Sequence, residues 1–389
     1  MKLIANMAVI LAAGIAGFST NSEAADTVKV GFVMSFSGWF QPIDAATING
    51  ALLAVKEINA VGGVLGKQIE VLKFDNKSEP PLGADGAVEV IGQGAKAILL
   101  PTDFDFGAPG AYVAQQNNVI AFSGASDPKF GVTGIGSYAY SISNVSQGQG
   151  AAVAEWAFGK GWRSAYVLID TTVSYAKSLC GGFSQRWKEM AGEGAIVGED
   201  SFMNSDPSIA SQTTRITNLD KKPDVVMLCS YAPGGPSAIR QLRAAGIDQP
   251  IVAGESLDGD YWMGTVPNLS NFYVAADASI HGDDPDPAMN DFFNRYEAEY
   301  KQRSDVSFSI KGYSAIQAWA RAAEKAGSFD ADKVAAVLDG FKDEPLLIGP
   351  TTYSPELHIQ TTRPLTVVEV QNGKFSAVGK VSARPVLLD

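Results

Sequence analysis

The chain has 389 residues, more than a single hydrophobic core usually holds, so its length predicts two domains. Its composition is that of a globular protein, with 46% hydrophobic and 19% charged residues. The net charge is −12 and no basic cluster is present, which excludes nucleic acid as an expected partner and argues against binding to anionic membranes.

The N-terminus has the pattern of a secretory signal peptide, which is predicted over residues 1–24. Lys2 supplies a positive charge, residues 3–18 are apolar and small, and residues 22–24 form a small-x-small cleavage site. The apolar run is short for a membrane span, and no cysteine near the cleavage point offers a lipid anchor. We therefore expect an exported, soluble protein in the periplasm.

Strand-like and helix-like segments alternate along the chain. The strand-like segments are short apolar runs that end at polar or glycine-rich residues: 28–34, 69–74, 97–100, 119–122, 165–169, 195–197, 225–229, 251–253 and 272–276. The helical patterns cover residues 49–59, 84–93, 108–117, 150–158, 175–190, 209–219, 237–245, 288–303, 313–326 and 331–341. Residues 365–378 are predicted to form a hairpin. This alternation predicts an α/β fold with mostly parallel sheets covered by helices.

Two consecutive predicted strands end in small hydroxyl and acidic residues. The strand at 97–100 leads into Thr102-Asp103-Phe104-Asp105, and the strand at 119–122 leads into residues 123–127, which include Ser126. In open parallel sheets, ligands bind just beyond the carboxyl ends of the strands, so these loops predict one half of a small-molecule site. The alternative is that Asp105 and Ser126 only cap the helices that follow.

No catalytic or metal-binding motif is present in the sequence. The two histidines, His281 and His358, lie far apart, and neither has the spacing of a zinc site or a neighbouring cysteine. A nucleophile elbow and a phosphate loop are also absent. We therefore expect a protein that is not an enzyme and that needs no cofactor or metal.

Aromatic residues near the predicted strand ends are candidates for the walls of a small-ligand pocket. Such pockets are typically apolar with a few placed polar groups. The candidates are Trp39, Phe40, Tyr175, Tyr231 and Phe308, and for each one packing in the core is the alternative.

The chain has two cysteines, Cys180 and Cys229, both in the second half-domain of the predicted alternation. In an oxidising compartment they could form a disulfide. The alternative is two separate buried thiols, because sequence alone does not show that the two residues meet.

The order of several motifs resembles that of the type I periplasmic binding proteins of the branched-chain amino acid (Leu/Ile/Val-binding) transport family. The motifs span nearly the whole mature chain: 35–38 (SFSG), 50–59, 62–66 (GGVLG), 174–176 (SYA), 231–233 (YAP) and 349–353 (GPTTY). The resemblance implies two α/β lobes, joined by three crossovers, that close over a ligand. It also implies delivery of the ligand to the permease and ATPase subunits of a membrane ABC transporter. We expect a monomer.

The resemblance also predicts the limits of the two lobes. Lobe 1 would comprise residues 25–144 plus 279–353, and lobe 2 residues 145–278 plus 354–389. The chain would therefore cross between the lobes near residues 144–145, 278–279 and 353–354.

Several site residues carry over from the family pattern. The loop Gly124-Ala125-Ser126 is similar to the family loop that binds the ligand carboxylate, and Glu255 is similar to the acidic residue that receives the ligand ammonium. Tyr231 and Tyr175 match family aromatics. Trp39 and Phe308 are looser matches to pocket walls, and Thr102 and Asp103 complete the predicted ligand-binding set.

One departure from the family pattern affects the expected ligand. Where amino-acid binders usually have a serine, this chain has Asp103-Phe104-Asp105, and Asp127 is close by. Two like charges ~4 Å apart cost about 4 kcal/mol at an effective dielectric constant near 20, which disfavours a ligand carboxylate. We expect a ligand with an amino or amide donor. The alternative is that both aspartates turn away and Asp105 caps a helix.

The expected function is a solute receptor, with neutral or branched-chain amino acids as the family-based ligand. A receptor for small aromatic acids is the alternative ligand class. A sensor or an enzyme on the same fold is the alternative function.

Overall fold

The computed structural model describes residues 26–386 and 388. The signal peptide predicted over residues 1–24 lies outside these residues. Within the described part of the chain, no helix is long and apolar enough to cross a membrane.

The first sheet is five-stranded and fully parallel, with the order β2-β1-β3-β4-β5. Its strands and the helices between them are β1 (Thr27–Met34), α1 (Gln41–Ala60), β2 (Gln68–Asp75), α2 (Pro80–Gly92), β3 (Ala97–Leu100), α3 (Phe104–Gln116), β4 (Ile120–Ser123) and β5 (Ala139–Ser141). Every residue of β3 and β4 is buried, as expected of short apolar strands in the middle of a sheet with helices on both faces.

The second sheet has seven strands in the order β14-β13-β10-β9-β8-β6-β7. Its first part comprises α4 (Ser146–Gly159), β6 (Ala165–Asp170), α5 (Ser174–Ala191), β7 (Ile196–Phe202), α6 (Ala210–Thr217), β8 (Val225–Cys229), α7 (Gly234–Ala244), β9 (Ile251–Ala253) and β10 (Phe272–Ala276). Three short 3-10 helices cover residues 193–195, 255–257 and 263–265. Strand β13 (Leu365–Gln371) pairs antiparallel with β10 and with β14 (Lys374–Val381), so the predicted C-terminal hairpin is confirmed.

Three helices after β10 return to the first sheet. They are α8 (Pro287–Tyr300), α9 (Phe308–Ala326) and α10 (Ala331–Leu338), followed by the small hairpin of β11 (Glu344–Leu346) and β12 (Gly349–Thr351). Their apolar faces share one core with the first sheet, in which Phe32 packs in the same cluster as Phe292 and Trp319. The α/β fold with mostly parallel sheets flanked by helices is therefore as predicted.

The limits of the two lobes remain a prediction. The contacts of His358, near the predicted third crossover, indicate where that crossover lies. The backbone N–H of Ser141 donates to the carbonyl of His358 at 2.8 Å, and the His358 ring stacks on Tyr140 with centroids 4.0 Å apart. His358 therefore packs on the first sheet, which favours a crossover after Gln360 rather than at residues 353–354.

Cys180 on α5 and Cys229 at the end of β8 form a disulfide, with their Cα atoms 5.8 Å apart. The sequence left the pairing open between a disulfide and two free thiols. The bond ties helix α5 to the centre of the second sheet.

Candidate ligand-binding site

A cavity lies between the two sheets, at the carboxyl ends of strands from both of them. Its empty volume is about 550 Å³, counting the part that is open to solvent. The lining residues are Trp39, Phe40, Ile43, Thr102, Asp103, Phe104, Ser126, Asp127, Val173, Tyr175, Tyr231, Glu255, Ser256 and Phe308. All the predicted site residues except Gly124 line this cavity. The location is the one that the strand-end rule predicts for parallel sheets.

Gly124 lies behind the cavity wall rather than in it. A Cβ atom at this position would come within 2.8 Å of the Cγ2 of Thr102 and 3.0 Å of the Cδ of Lys311. Real side chains essentially never approach so closely, so the glycine allows Thr102 and Lys311 to pack against the loop. Its role is to support the wall.

Aromatic rings from both sides of the cleft meet at the cavity mouth. The ring of Trp39, which follows β1, lies 5.7 Å from the ring of Tyr231, which follows β8. Trp39 also contacts Phe40 and Phe106 edge to face at 5.4 Å, and these two phenylalanines stack on each other at 5.0 Å. Trp39 nevertheless remains 49% exposed, so a large apolar surface faces the opening.

Asp103 both caps helix α3 and lines the cavity. Its Oδ1 accepts a hydrogen bond from the backbone N–H of Asp105 at 2.9 Å. Burial raises the pKa of Asp103 to about 7, and the neighbouring Asp105 carboxylate adds to the rise. Burial also raises the pKa of Asp127. Asp103 is therefore a carboxyl group without a compensating basic partner at the cavity wall.

Asp105 does not cap the helix, so that alternative for this residue is wrong. Its carboxylate reaches across the cleft and accepts hydrogen bonds from the backbone N–H and the Oγ of Ser174, both at 3.2 Å. Ser174 is the first residue of α5, on the second sheet's side. The contact joins the two sides at the mouth of the cavity.

Ser126 and Glu255 also meet across the cleft. The Ser126 hydroxyl donates to the Oε1 of Glu255 at 2.8 Å, and the Gln149 side-chain amide donates to the same Oε1 at 3.0 Å. Glu255 is 3% exposed. Its other oxygen, Oε2, is buried and has no hydrogen-bond partner among the described residues.

Lys311 on α9 is the functional residue that sequence reasoning missed. Its Nζ lies 2.7 Å from the Oε1 of Glu255, 2.9 Å from the Ser143 hydroxyl and 3.6 Å from the Oδ2 of Asp277. The ammonium also lies 4.4 Å from the centre of the Phe308 ring. The Lys311 side chain is 1% exposed, so the negative charge of Glu255 is already compensated by a buried lysine of the protein.

The ionic cluster around Lys311 continues towards the third crossover. Burial raises the pKa of Asp277, and the neighbouring Lys311 opposes this rise. Burial lowers the pKa of Arg363, whose guanidinium donates to the Ile142 carbonyl at 2.6 Å. Two basic and two acidic side chains thus balance each other's charge next to the cavity.

The hydroxyl of Thr102 points to an internal carboxylate. Both the backbone N–H and the Oγ1 of Thr102 donate to the Oδ1 of Asp44, at 3.2 and 3.1 Å. The other oxygen of Asp44 accepts from the backbone N–H of Ser35 at 3.0 Å, and burial raises the pKa of Asp44 to about 6. Asp44 therefore holds the loops after β1 and β3 together behind the cavity.

A signal for Lys311 was present in the sequence. It stands one helical turn after Phe308, on the apolar face of a strongly amphipathic helix, where a lysine is rarely buried unless it is paired.

For metal ions, the described residues contain no group of three or more His, Cys, Asp or Glu side chains arranged as ligands.

A two-lobed α/β architecture with a cavity between the two sheets fits a solute-binding protein. The sequence profile of the periplasmic binding protein family matches residues 27–374, so the chain belongs to that family.

Relatives and solved structures are similar over nearly the whole chain. The Leu/Ile/Val-binding protein BraC3 of Rhizobium johnstonii is 26% identical over 354 residues, which cover 90% of this chain and 93% of that protein. The crystal structure of the branched-chain amino acid transporter substrate binding protein LivJ from Streptococcus pneumoniae, in complex with isoleucine, matches with a TM-score of 0.80 and 25% identity. That match covers 92% of this chain and 100% of the LivJ chain.

A third match is a solute binding protein of an ABC transporter from R. palustris, in complex with benzoate. Its TM-score is 0.76 at 20% identity, and the match covers 93% of this chain and 98% of that one. At this identity the likeness shows the shared fold.

Proposed function

We propose that the chain is the periplasmic solute receptor of an ABC importer. It closes over a small ligand between its lobes and delivers it, unchanged, to membrane permease and ATPase subunits. The observation that carries the proposal is the cavity lined from both sheets, because only a ligand held in such a cleft couples binding to lobe closure. Membership of the periplasmic binding protein family supports export and transport rather than catalysis.

Contacts across the cleft support a closing motion. Three of them join residues on opposite sides of the cleft. They are Asp105 with Ser174, Lys311 with Glu255, and the Asp258 carboxylate with the backbone N–H of Ser307 at 2.7 Å. Opening of the cleft would break these contacts, and the two lobes would rotate about the three crossovers. We place the crossovers near 144–145, 278–279 and after Gln360.

The ligand we propose is small and carries an amino or amide donor, and its apolar part is surrounded by the aromatic walls. The family relatives named for binding leucine, isoleucine and valine support neutral amino acids as the first candidates to test. Acidic side chains in the lining argue against small aromatic acids, which would bring a further negative charge.

The proposed ligand-contacting residues, with Gly124 supporting them from behind, are Trp39, Thr102, Asp103, Ser126, Tyr175, Tyr231, Glu255 and Phe308. The receptor is proposed to act as a monomer, since the cleft is complete within one chain.

A thermal-shift screen tests the function. Amino acids, amides, amines and aromatic acids are added singly, and a true ligand raises the melting temperature because it binds only the folded state. Hits are then checked by small-angle scattering, where closure reduces the radius of gyration, and by chromatography, where the solute is recovered intact. A screen without hits, or a hit that is chemically converted, would contradict the proposal.

A further inference from the structure

The charged groups that line the cavity are all acidic. Asp103, Asp127 and Glu255 contribute carboxyl groups to its wall, and no lysine, arginine or histidine is among the lining residues in the described part of the chain. Lys311 lies close by but is buried beneath Phe308 and is paired with Glu255. An anionic ligand would therefore find no cation to neutralise it.

The hydroxyl groups that could hold a ligand carboxylate are already donating to acceptors of the protein. Thr102 donates to Asp44, Ser126 to Glu255, Tyr175 to Gln149 and Ser256 to the Ser230 carbonyl. A carboxylate would have to displace one of these acceptors, and the acceptors are themselves buried. The remaining lining hydroxyl, that of Tyr231, is a single group.

Glu255, the expected partner of a ligand α-ammonium, is already paired with Lys311. The Nζ of Lys311 lies 2.7 Å from Glu255, so a second ammonium at the same oxygen would meet a like charge. With its charge balanced by Lys311, Glu255 offers only a hydrogen-bond acceptor, the unpartnered and buried Oε2. The α-ammonium of an amino acid therefore lacks its expected partner, and its carboxylate finds no free side-chain hydroxyl other than that of Tyr231.

What remains is an uncompensated carboxyl group beside aromatic rings. Asp103 is close to Asp105, Asp44 and Asp127, all of which raise the negative potential around it. The rings of Trp39 and Tyr231 meet at the mouth of the same cavity, with Phe308 on its wall. Cations bind favourably over aromatic faces, most strongly over tryptophan.

We propose that this site takes a small organic cation that has no carboxylate, with Asp103 as its counter-ion and the rings of Trp39, Tyr231 and Phe308 around it. The inference rests on the proposed function as a solute receptor and narrows its ligand class to amines.

Matched ligand sets test the ligand class. Titration calorimetry at pH 8 compares isoamylamine, leucine and 4-methylpentanoate, which share one branched tail and differ in their charged groups. Benzylamine, phenylglycine and phenylacetate form a second set with an aromatic tail. We expect the amine of at least one set to bind ten or more times more tightly than the zwitterion and the acid of that set.

Variants test the counter-ion. Asp103→Asn removes the charge but keeps an oxygen to accept from the Asp105 N–H, so helix α3 keeps its cap. It should weaken amine binding at least tenfold, whereas Asp103→Glu should retain most of the affinity. Asp127→Asn is the matched control, since its carboxylate has Lys129 beside it, and its effect should be smaller.

Three results would overturn the inference. They are the absence of any set in which the amine binds at least tenfold more tightly than its zwitterion and its acid, binding of neither amine, or unchanged amine binding in Asp103→Asn. Binding of an acid or a zwitterion together with lobe closure would leave the receptor function intact and overturn the cation alone. If no solute from the wider screen binds, both proposals fail.

Discussion

Asp103 and Glu255 are two carboxyl groups on the wall of one cavity, and their surroundings are opposite. Glu255 lies 2.7 Å from the ammonium of Lys311 and accepts three further hydrogen bonds at the same oxygen, from Ser126, Gln149 and Ser143. Asp103 has three other aspartates around it, and burial with these charges raises its pKa to about 7. The difference teaches that counting the acids in a pocket is not enough to infer its ligand. What matters is which carboxyl group has no basic partner among the described residues, and here that group is Asp103.

The largest expected effect comes from removing the partner of Glu255. Lys311→Met leaves Glu255 and Asp277 buried without their cation, and breaking one side of a buried pair typically costs about 3–5 kcal/mol. We expect a loss of that size in the free energy of unfolding, measured by urea titration.

A double variant and a surface control sharpen this result. Lys311→Met combined with Glu255→Gln should recover part of the loss, because the uncompensated charge is removed. Lys325→Met, which breaks an exposed pair with Glu344, should cost less than about 1 kcal/mol. Equal losses for the two lysines would contradict the assignment of Lys311 as the buried partner.

The next effect concerns the unpaired acid and depends on pH. The pKa of Asp103 is about 7 in the folded protein and near 4 in the unfolded chain, so the folded state holds the extra proton between these values. The contribution of Asp103 to stability is therefore highest below pH 4 and falls as the pH rises from 4 to 7. A shift of this size corresponds to about 4 kcal/mol, and solvent screening of the half-buried carboxyl reduces it, so Asp103→Asn should be more stable than wild type by roughly 2 kcal/mol at pH 8 and no more stable at pH 4.

Melting temperatures across this pH range measure the effect. Asp258, whose pKa burial raises to about 6, is present in both proteins and is not among the charges that act on Asp103, so its pH dependence cancels in the difference. A constant difference between wild type and Asp103→Asn from pH 4 to 8 would be the contrary finding.

Much of the site followed from the sequence because strand ends are local features. The loops after β3 and β4 were predicted from apolar runs followed by polar residues, and Thr102, Asp103 and Ser126 do line the cavity. The same local pattern predicted the parallel sheets. Helix α1 was predicted too short, from residue 49, because its first turns from Gln41 begin at a proline and lack the apolar repeat used to find it.

The pairing of Lys311 with Glu255 could not be predicted from the sequence, for a physical reason. Its partner Glu255 is 56 residues away and belongs to the other sheet, so the pair exists only when both lobes are folded and in contact. The disulfide was left open for a similar reason, since 49 residues separate Cys180 from Cys229. Gly124 stays a predicted ligand contact, and its lack of a side chain also allows Thr102 and Lys311 to pack against its loop.

A smaller effect should follow from changing a neighbour of Asp103. Asp105→Asn removes the charge that adds to the raised pKa of Asp103 and keeps an oxygen to accept from Ser174. The pKa of Asp103 should fall below its wild-type value, as read from the pH at which the gain in stability of Asp103→Asn levels off in this background. An unchanged midpoint would show that burial alone sets the pKa.

The smallest effect should come from the aromatic wall. Trp39→Leu keeps an apolar side chain and removes the ring face, which is worth roughly 0.5–2 kcal/mol to a bound cation, or about a threefold to thirtyfold loss of affinity. Binding of a neutral amide should change less. Equal losses for amine and amide in calorimetry would mean that Trp39 contributes only apolar contact.

Proton release on amine binding tests the contrast between the two acids most directly. An ammonium beside Asp103 favours its ionised form, and a pKa of about 7 leaves part of these groups protonated at neutral pH when the site is empty. Calorimetry of isoamylamine binding in buffers of different ionisation enthalpy should therefore show proton release at pH 7 that falls as the pH is raised to 9 and is absent in Asp103→Asn. Amine binding without any proton release at pH 7 would contradict Asp103 as the unpaired acid that receives the ligand.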